Sequence, residues 1–241
     1  MNYKKIVITL TLIFWPISLL LANTFPNFLG YIFPIFQPKF AILPLIFILL
    51  NFKKKYLKYL ILSIILLIIL WKPFFGQTIL KFDYEKGQQV LQRSQLYPNV
   101  YLARVFQNKA RVPFDKFTGN FFALTDPNNY FFGFAPRQIT IDNQNLQKFP
   151  FLSLVFLIAT AFSLNSLKHR KLIITFLLAT VLNLSILGSF DRNDFILYYP
   201  LSLLIIHGVN IFDKKYANYS KYFYLLFIVI SIFELIRIFV K

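Results

Sequence analysis

The feature that most constrains this chain is a succession of apolar runs separated by short clusters of lysine and arginine. No charge falls between Ile6 and Pro38, and the stretch from Ile6 to about Ala22 reads as a first membrane segment near the lower length limit for a crossing helix. A basic start before an apolar stretch is also the pattern of a secretory signal peptide. Here the apolar part is longer than usual and no A-x-A site follows, so an uncleaved helix is expected.

Residues 40–52 and 59–71 are charge-free for 13 residues each, on either side of the cluster KKKYLK at 53–58. Extended to Phe33 and Phe75 they reach about 20 residues each, with Lys39, Lys58 and Lys72 near the ends where long side chains snorkel to an interface. A pair of buried or re-entrant segments is the alternative. Residues 149–167, 172–190 and 195–212 are charge-free for 18 or 19 residues, whereas 222–240 carries Glu234 and Arg237. The expected fold is therefore an all-α polytopic membrane protein of about seven transmembrane helices, or six if the last fails. One small, mostly helical extracytoplasmic domain would stand at residues 73–148, between membrane regions at 1–72 and 149–241.

Composition agrees. Hydrophobic residues make up 57% of the 241, charged residues 15%, and the mean hydropathy is +0.60. Ordinary soluble domains have about 45–50% apolar and about 25% charged residues, so soluble-enzyme and disordered readings are excluded. Cysteine is absent and the two histidines, His169 and His207, are far apart, so neither a disulfide nor a metal site is expected. No phosphate-binding, dinucleotide-binding, nucleophile-elbow or zinc-protease motif occurs, and no cofactor is expected.

The net charge of +17 would by itself suggest nucleic acid. Its distribution says otherwise. With the N-terminus inside, the short cytoplasmic segments hold Lys4, Lys5, Lys53, Lys54, Lys55, Lys58, Lys168, Arg170, Lys171, Lys214, Lys215 and Lys221, against Lys39 and Arg192 in the short outer connections. The expected location is a cell membrane with a cytoplasmic N-terminus and residues 73–148 outside, and the expected partner is membrane lipid, not nucleic acid.

Residues 73–148 hold nine Lys and Arg against five acids, too few residues for more than a marginal independent domain. Phe114, Phe117, Phe121 and Leu124 recur at helical spacing, and Asp126-Pro127-Asn128-Asn129 is a turn that ends such a helix. Residues 82–108 read as one or two short helices broken near Pro98, and 138–141 as a short strand. The aromatic stripe, with Tyr130, Phe131, Phe132 and Phe134 after it, is expected to pack onto a membrane face.

Three sets of residues are candidates for chemistry. Glu234 and Arg237 share a helix face at i,i+3 and form a candidate membrane charge pair, either interface-seeking or in contact with a partner. Asp191, Arg192 and Asp194 crowd a short outer turn, where the arginine could meet a lipid-linked phosphate and the carboxylates a cation; a solvated turn needs neither. His207, Asn210 and Asn183 lie within apolar runs, where helix-to-helix hydrogen bonding accounts for them as well as a transport path does.

The segments FDKFTGNFFALTDPNNYFFGF (114–134), NQNLQKFPFLSLVFLI, LKHRK and SFDRNDFILYYPLSLLIIHGVNIF stand in an order that resembles bacterial polytopic glycosyltransferases of the dolichyl-phosphate-mannose-protein mannosyltransferase type. In that family an arginine-containing turn precedes a helix of the form Y-x-x-P-L-x-x-L, which Arg192, Tyr199, Pro200, Leu201 and Leu204 approximate. The resemblance covers residues 114–212. It implies a lipid-linked sugar donor and an acid in the first outer loop acting as base or metal holder. That loop here, NTFPNFLGYIFPIFQP, has no acid.

The expected function is a non-catalytic interaction or lipid-associated assembly component of the cell envelope, with other envelope proteins or a lipid-linked glycan as further partners. The alternatives are a glycosyltransferase using Asp83, Glu85, Asp115 or Asp126, and a small-molecule transporter.

Overall fold

The apolar runs do fold as helices, but turns cut most of them short. The computed structural model describes residues 3–21, 38–82, 84–99, 101–102, 108–132, 137–138, 145–146, 148–188 and 193–240. In chain order the longer helices are α1 (Tyr3–Leu21), α2 (Ile42–Asn51), α3 (Lys55–Leu70), α4 (Tyr84–Gln95), α5 (Arg111–Thr125), α6 (Ser153–Phe162), α7 (Arg170–Ile186), α8 (Tyr198–Lys215) and α9 (Ala217–Val240). Two antiparallel strands, β1 (Arg137–Gln138) and β2 (Asn145–Leu146), pair between α5 and α6.

This corrects the expectation of seven transmembrane helices. Among the described residues one helix, Ala217–Ile236 within α9, is long and apolar enough to cross a membrane. The helices α2 and α6 are apolar but have 10 residues each. At 1.5 Å per residue they reach about 15 Å, half of a hydrocarbon core of about 30 Å.

The reason lies in the backbone. Of the charge-free stretch 149–167, only α6 is α-helical: Ser153 N–H and hydroxyl both turn back to the Pro150 carbonyl, and Ser163 leaves the helix for a 3-10 turn at Leu164–Ser166. The 16 residues of α3 end where Trp71 becomes extended (ψ 124°) and Pro73 opens a new single turn, Lys72–Phe75. Asp213, Lys214 and Lys215 occupy the end of α8 and shorten its apolar part. The outer position expected for residues 73–148 depended on the number of crossings before it, so the fold lends that position no support.

The described chain divides into two units, one of residues 1–34, 126–177 and 191–241, the other of residues 35–125 and 178–190. In the first, α1 lies against α8 and α9, and α6 against α8. Phe149, just before α6, stacks on Tyr198 at the start of α8 (4.8 Å between centroids), and Ser166, beyond α6, reaches His207 (3.2 Å). The two helices therefore lie side by side. Their approach is close: a Cβ on Gly208 would lie 1.9 Å from the Phe156 carbonyl oxygen, and Thr160 Oγ1 donates to the Leu204 carbonyl at 2.6 Å. The Phe156 ring, fully buried, meets Phe212, Phe223, Tyr224 and Phe227 at centroid distances of 5.5 to 6.1 Å.

In the second unit the C-terminal end of α7 is the hub. The last carbonyls of a helix have no partner within it and must find one elsewhere. Here Ile79 N–H donates to the Ile186 carbonyl (2.9 Å), Gly188 N–H donates to the Gln77 carbonyl (2.8 Å), and the Asn120 side-chain amide donates to the Ser185 and Leu187 carbonyls (3.3 and 2.9 Å). On α5 the line buried within the protein runs through Asn120 and Leu124, and Phe114, expected to pack onto a membrane face, is 61% exposed. The turn after α5 forms as its residues predict: the Asp126 carboxylate accepts from Asn128 N–H (2.9 Å) and Pro127–Asn129 make a 3-10 turn. The break near Pro98 also appears, with α4 ending at Gln95. The strand expected at 138–141 overlaps β1 at Gln138 alone, and 139–144 lie outside the described residues.

Candidate functional site

Asp194 belongs to the 3-10 turn Asn193–Leu197 that leads into α8, and it is fully buried, as are Ile196, Leu197 and Tyr198 around it. Four positions on, the Tyr198 ring meets Tyr130 (5.7 Å) as well as Phe149, and Phe149 in turn stacks on Phe131 (5.7 Å). Tyr130 and Phe131, two of the aromatic residues expected to pack down, are thus interior. The backbone draws them there: Phe149 N–H donates to the Tyr130 carbonyl (2.8 Å), and Lys148 Nζ donates to the Phe132 carbonyl (2.5 Å). A carboxylate enclosed in this way does not present itself to a cation or headgroup from solution. Asp191 and Arg192, its expected companions, lie outside the described residues. Among the described residues no three His, Cys, Asp or Glu side chains gather where they could hold a metal ion.

Glu234 is half-buried near the far end of α9, and the side chain of Arg237 lies outside the described part. Of the acids considered as catalytic bases, the described ones are paired, capping a turn or exposed. Asp115 accepts from Arg111 Nε at 2.7 Å and from Arg93 at 3.4 Å, Asp126 caps its turn, Glu85 is exposed on α4, and Asp83 is outside the described residues. Asn183 donates to the Lys39 carbonyl (3.3 Å), a backbone tie of the kind that helix packing requires, and burial holds the Lys39 ammonium below its ordinary pKa. His207 meets Ser166 as described. Burial, and after it the charge of Lys214, lowers its pKa.

What the arrangement does bring together is charge at one end of the first unit. Lys4, in the first turn of α1, pairs with Asp213 in the last turn of α8 (3.0 Å), which places the start of α1 beside Lys214 and Lys215 and the start of α9 with Lys221. The α6–α7 connection, with Lys168, Arg170 and Lys171, joins the same end through the Ser166–His207 contact. In this connection His169 adopts a left-handed backbone (φ 61°). Sequence reading grouped these cations by side of the membrane. It did not find Lys4–Asp213, whose partners are distant along the chain.

No protein-family model, curated protein or solved structure matches the chain.

Proposed function

We propose that this protein is a membrane-anchored component of the cell envelope that works through contact with lipid and with other envelope components, not through catalysis. The observation that carries the reading is α9: an apolar helix of crossing length, whose stretch Ala217–Ile236 is mostly exposed, with 22% of its most apolar 18 residues buried. A core helix of a soluble protein meets the same length criterion only with most of its surface covered. Leu225, Val229, Ile232 and Phe233 are instead exposed and suit acyl chains. The cluster of Lys214, Lys215 and Lys221 at the start of this helix favours a cytoplasmic beginning and an outward course. A binding role takes further support from the state of the candidate acids, above all Asp115, which two guanidinium groups hold.

Alkaline extraction of membranes from expressing cells tests the anchor. The chain should stay with the lipid pellet. A variant with Leu225→Asp and Ile232→Asp should be released, because each central acid costs about 2.5–3.5 kcal/mol on insertion scales. Release of the unaltered chain would refute the reading. Because the chain has no cysteine, single thiols report its orientation. A cysteine at Ser166 should resist an impermeant reagent in intact cells, and one added after Lys241 should react.

A further inference from the structure

Among the described residues, α3 as well as α9 carries a long run of exposed apolar side chains. Of this helix only Ile61 and Ile65, one face packed toward α2, are buried, whereas Leu60, Leu62, Leu66, Leu67 and Leu70 are each more than half exposed, as is Trp71 just beyond (62%). A stripe this long exceeds what a water-soluble surface carries without a partner. Charge identifies the occupant. Lys53, Lys54, Lys55 and Lys58 are all exposed at the start of the helix, and residues 1–82 contain no Asp or Glu at all. A second copy would therefore bring to this face the same lysines and no counter-charge from its own α2–α3 segment.

We propose that α3 is a second lipid-contacting element, with its leucine surface among acyl chains and its four lysines on the phosphates of anionic lipids. The aromatic distribution fits, since Tyr56 and Tyr59 stand at the basic end and Trp71 at the other, the positions that amphipathic rings favour at membrane interfaces. At 16 residues the helix is about 24 Å long, short of a hydrocarbon core of about 30 Å, so it adds lipid contact without having the length of a crossing helix. This inference rests on the membrane reading of α9 and extends it by naming the lipid class.

The test is fluorescence of Trp71 in the full chain, reconstituted into phosphatidylcholine vesicles with and without phosphatidylglycerol, the Trp71→Phe variant giving the background. Brominated phospholipids should quench Trp71, and more strongly than iodide in the water does, because the ring sits at the interface. Each lysine near an anionic surface contributes about a fivefold preference. Substituting Lys53, Lys54, Lys55 and Lys58 by Gln should therefore bring the quenching in phosphatidylglycerol vesicles down to that in phosphatidylcholine alone. Quenching by iodide but not by bromolipid would show a solvated helix, quenching by neither agent a protein-covered one, and bromolipid quenching indifferent to the lysines a lipid contact without anionic preference; each overturns the proposal. A chain that fails to float with the vesicles would instead refute the anchoring by α9.

Discussion

The α carbon of Gly208 faces the carbonyl of Phe156 so closely that a methyl group added to it would sit 1.9 Å from the oxygen. Real contacts are never that short, so α6 and α8 can lie at this distance only because position 208 has no side chain. Thr160 uses the same approach, its hydroxyl reaching the Leu204 carbonyl. Without a side chain at 208 the two backbones can approach closely enough for this hydroxyl to satisfy a carbonyl of the neighbouring helix.

Gly208→Ala should therefore force the two helices apart and destabilise the protein by about 1–3 kcal/mol, the usual cost of overpacking. Gly119→Ala gives the opposite sign. It lies within α5 with nothing within 4 Å of an added Cβ, so alanine should stabilise by about 0.5–1 kcal/mol through helix propensity. Thermal denaturation in detergent reads both, and equal signs would contradict the packing described.

Asn120 ties α5 to the end of α7 through two carbonyls. Asn120→Leu should lose about 1–3 kcal/mol, because buried acceptors are left without a donor. Faster amide exchange at Ile79 and Gly188, whose N–H groups close the same hub, would accompany it. Unchanged exchange at both would argue that the hub does not act as one unit.

The Lys4–Asp213 pair is about one-third exposed on each side. Solvent screening then limits its contribution to about 1 kcal/mol or less. A double-mutant cycle with Lys4→Met and Asp213→Asn should give a coupling of that size that shrinks as salt is raised. A larger, salt-insensitive coupling would place the pair deeper than the structure does.

His207 supplies a pH dependence of definite sign. Its folded-state pKa lies below the ordinary 6.5, through burial first and Lys214 second, so the neutral ring is the form that the fold favours. As pH falls below 6.5 toward that lowered value, the unfolded chain takes up the proton first and stability declines. Denaturation midpoints followed down through this window should drop, and His207→Gln should flatten the slope. A midpoint that rises on acidification in the unaltered chain but not in the variant would reverse the assignment.

Much of the local structure was legible from residue order alone. Helical spacing located α5, and Asp126-Pro127 marked the turn that follows, because these depend on neighbours within a few positions. The apolar run 222–240, despite Glu234 and Arg237, and the lysines before it located α9 for the same reason. The stripe on α5 was less legible in one respect: Phe114 belongs to it by spacing but is not covered by protein, since the face that packs within the fold follows Asn120 and its carbonyl partners on α7. Asp194 looked like one charge of a solvated turn, but it is enclosed, because Ile196, Leu197 and Tyr198 carry the turn into the interior.

By itself the sequence determined that this chain is apolar, helical and strongly basic, with cations grouped between apolar runs, since hydrophobicity and charge are properties of each residue wherever it lies. Only the tertiary structure decided how much of each run remains helical and which surfaces stay open. A run of 19 uncharged residues becomes the ten residues of α6 because Pro150, Ser153 and Ser163 redirect backbone hydrogen bonds. The pairing of Phe156 with Gly208, and of Lys4 with Asp213, joins residues that no local pattern connects, and steric fit and hydrogen-bond satisfaction across the fold select them.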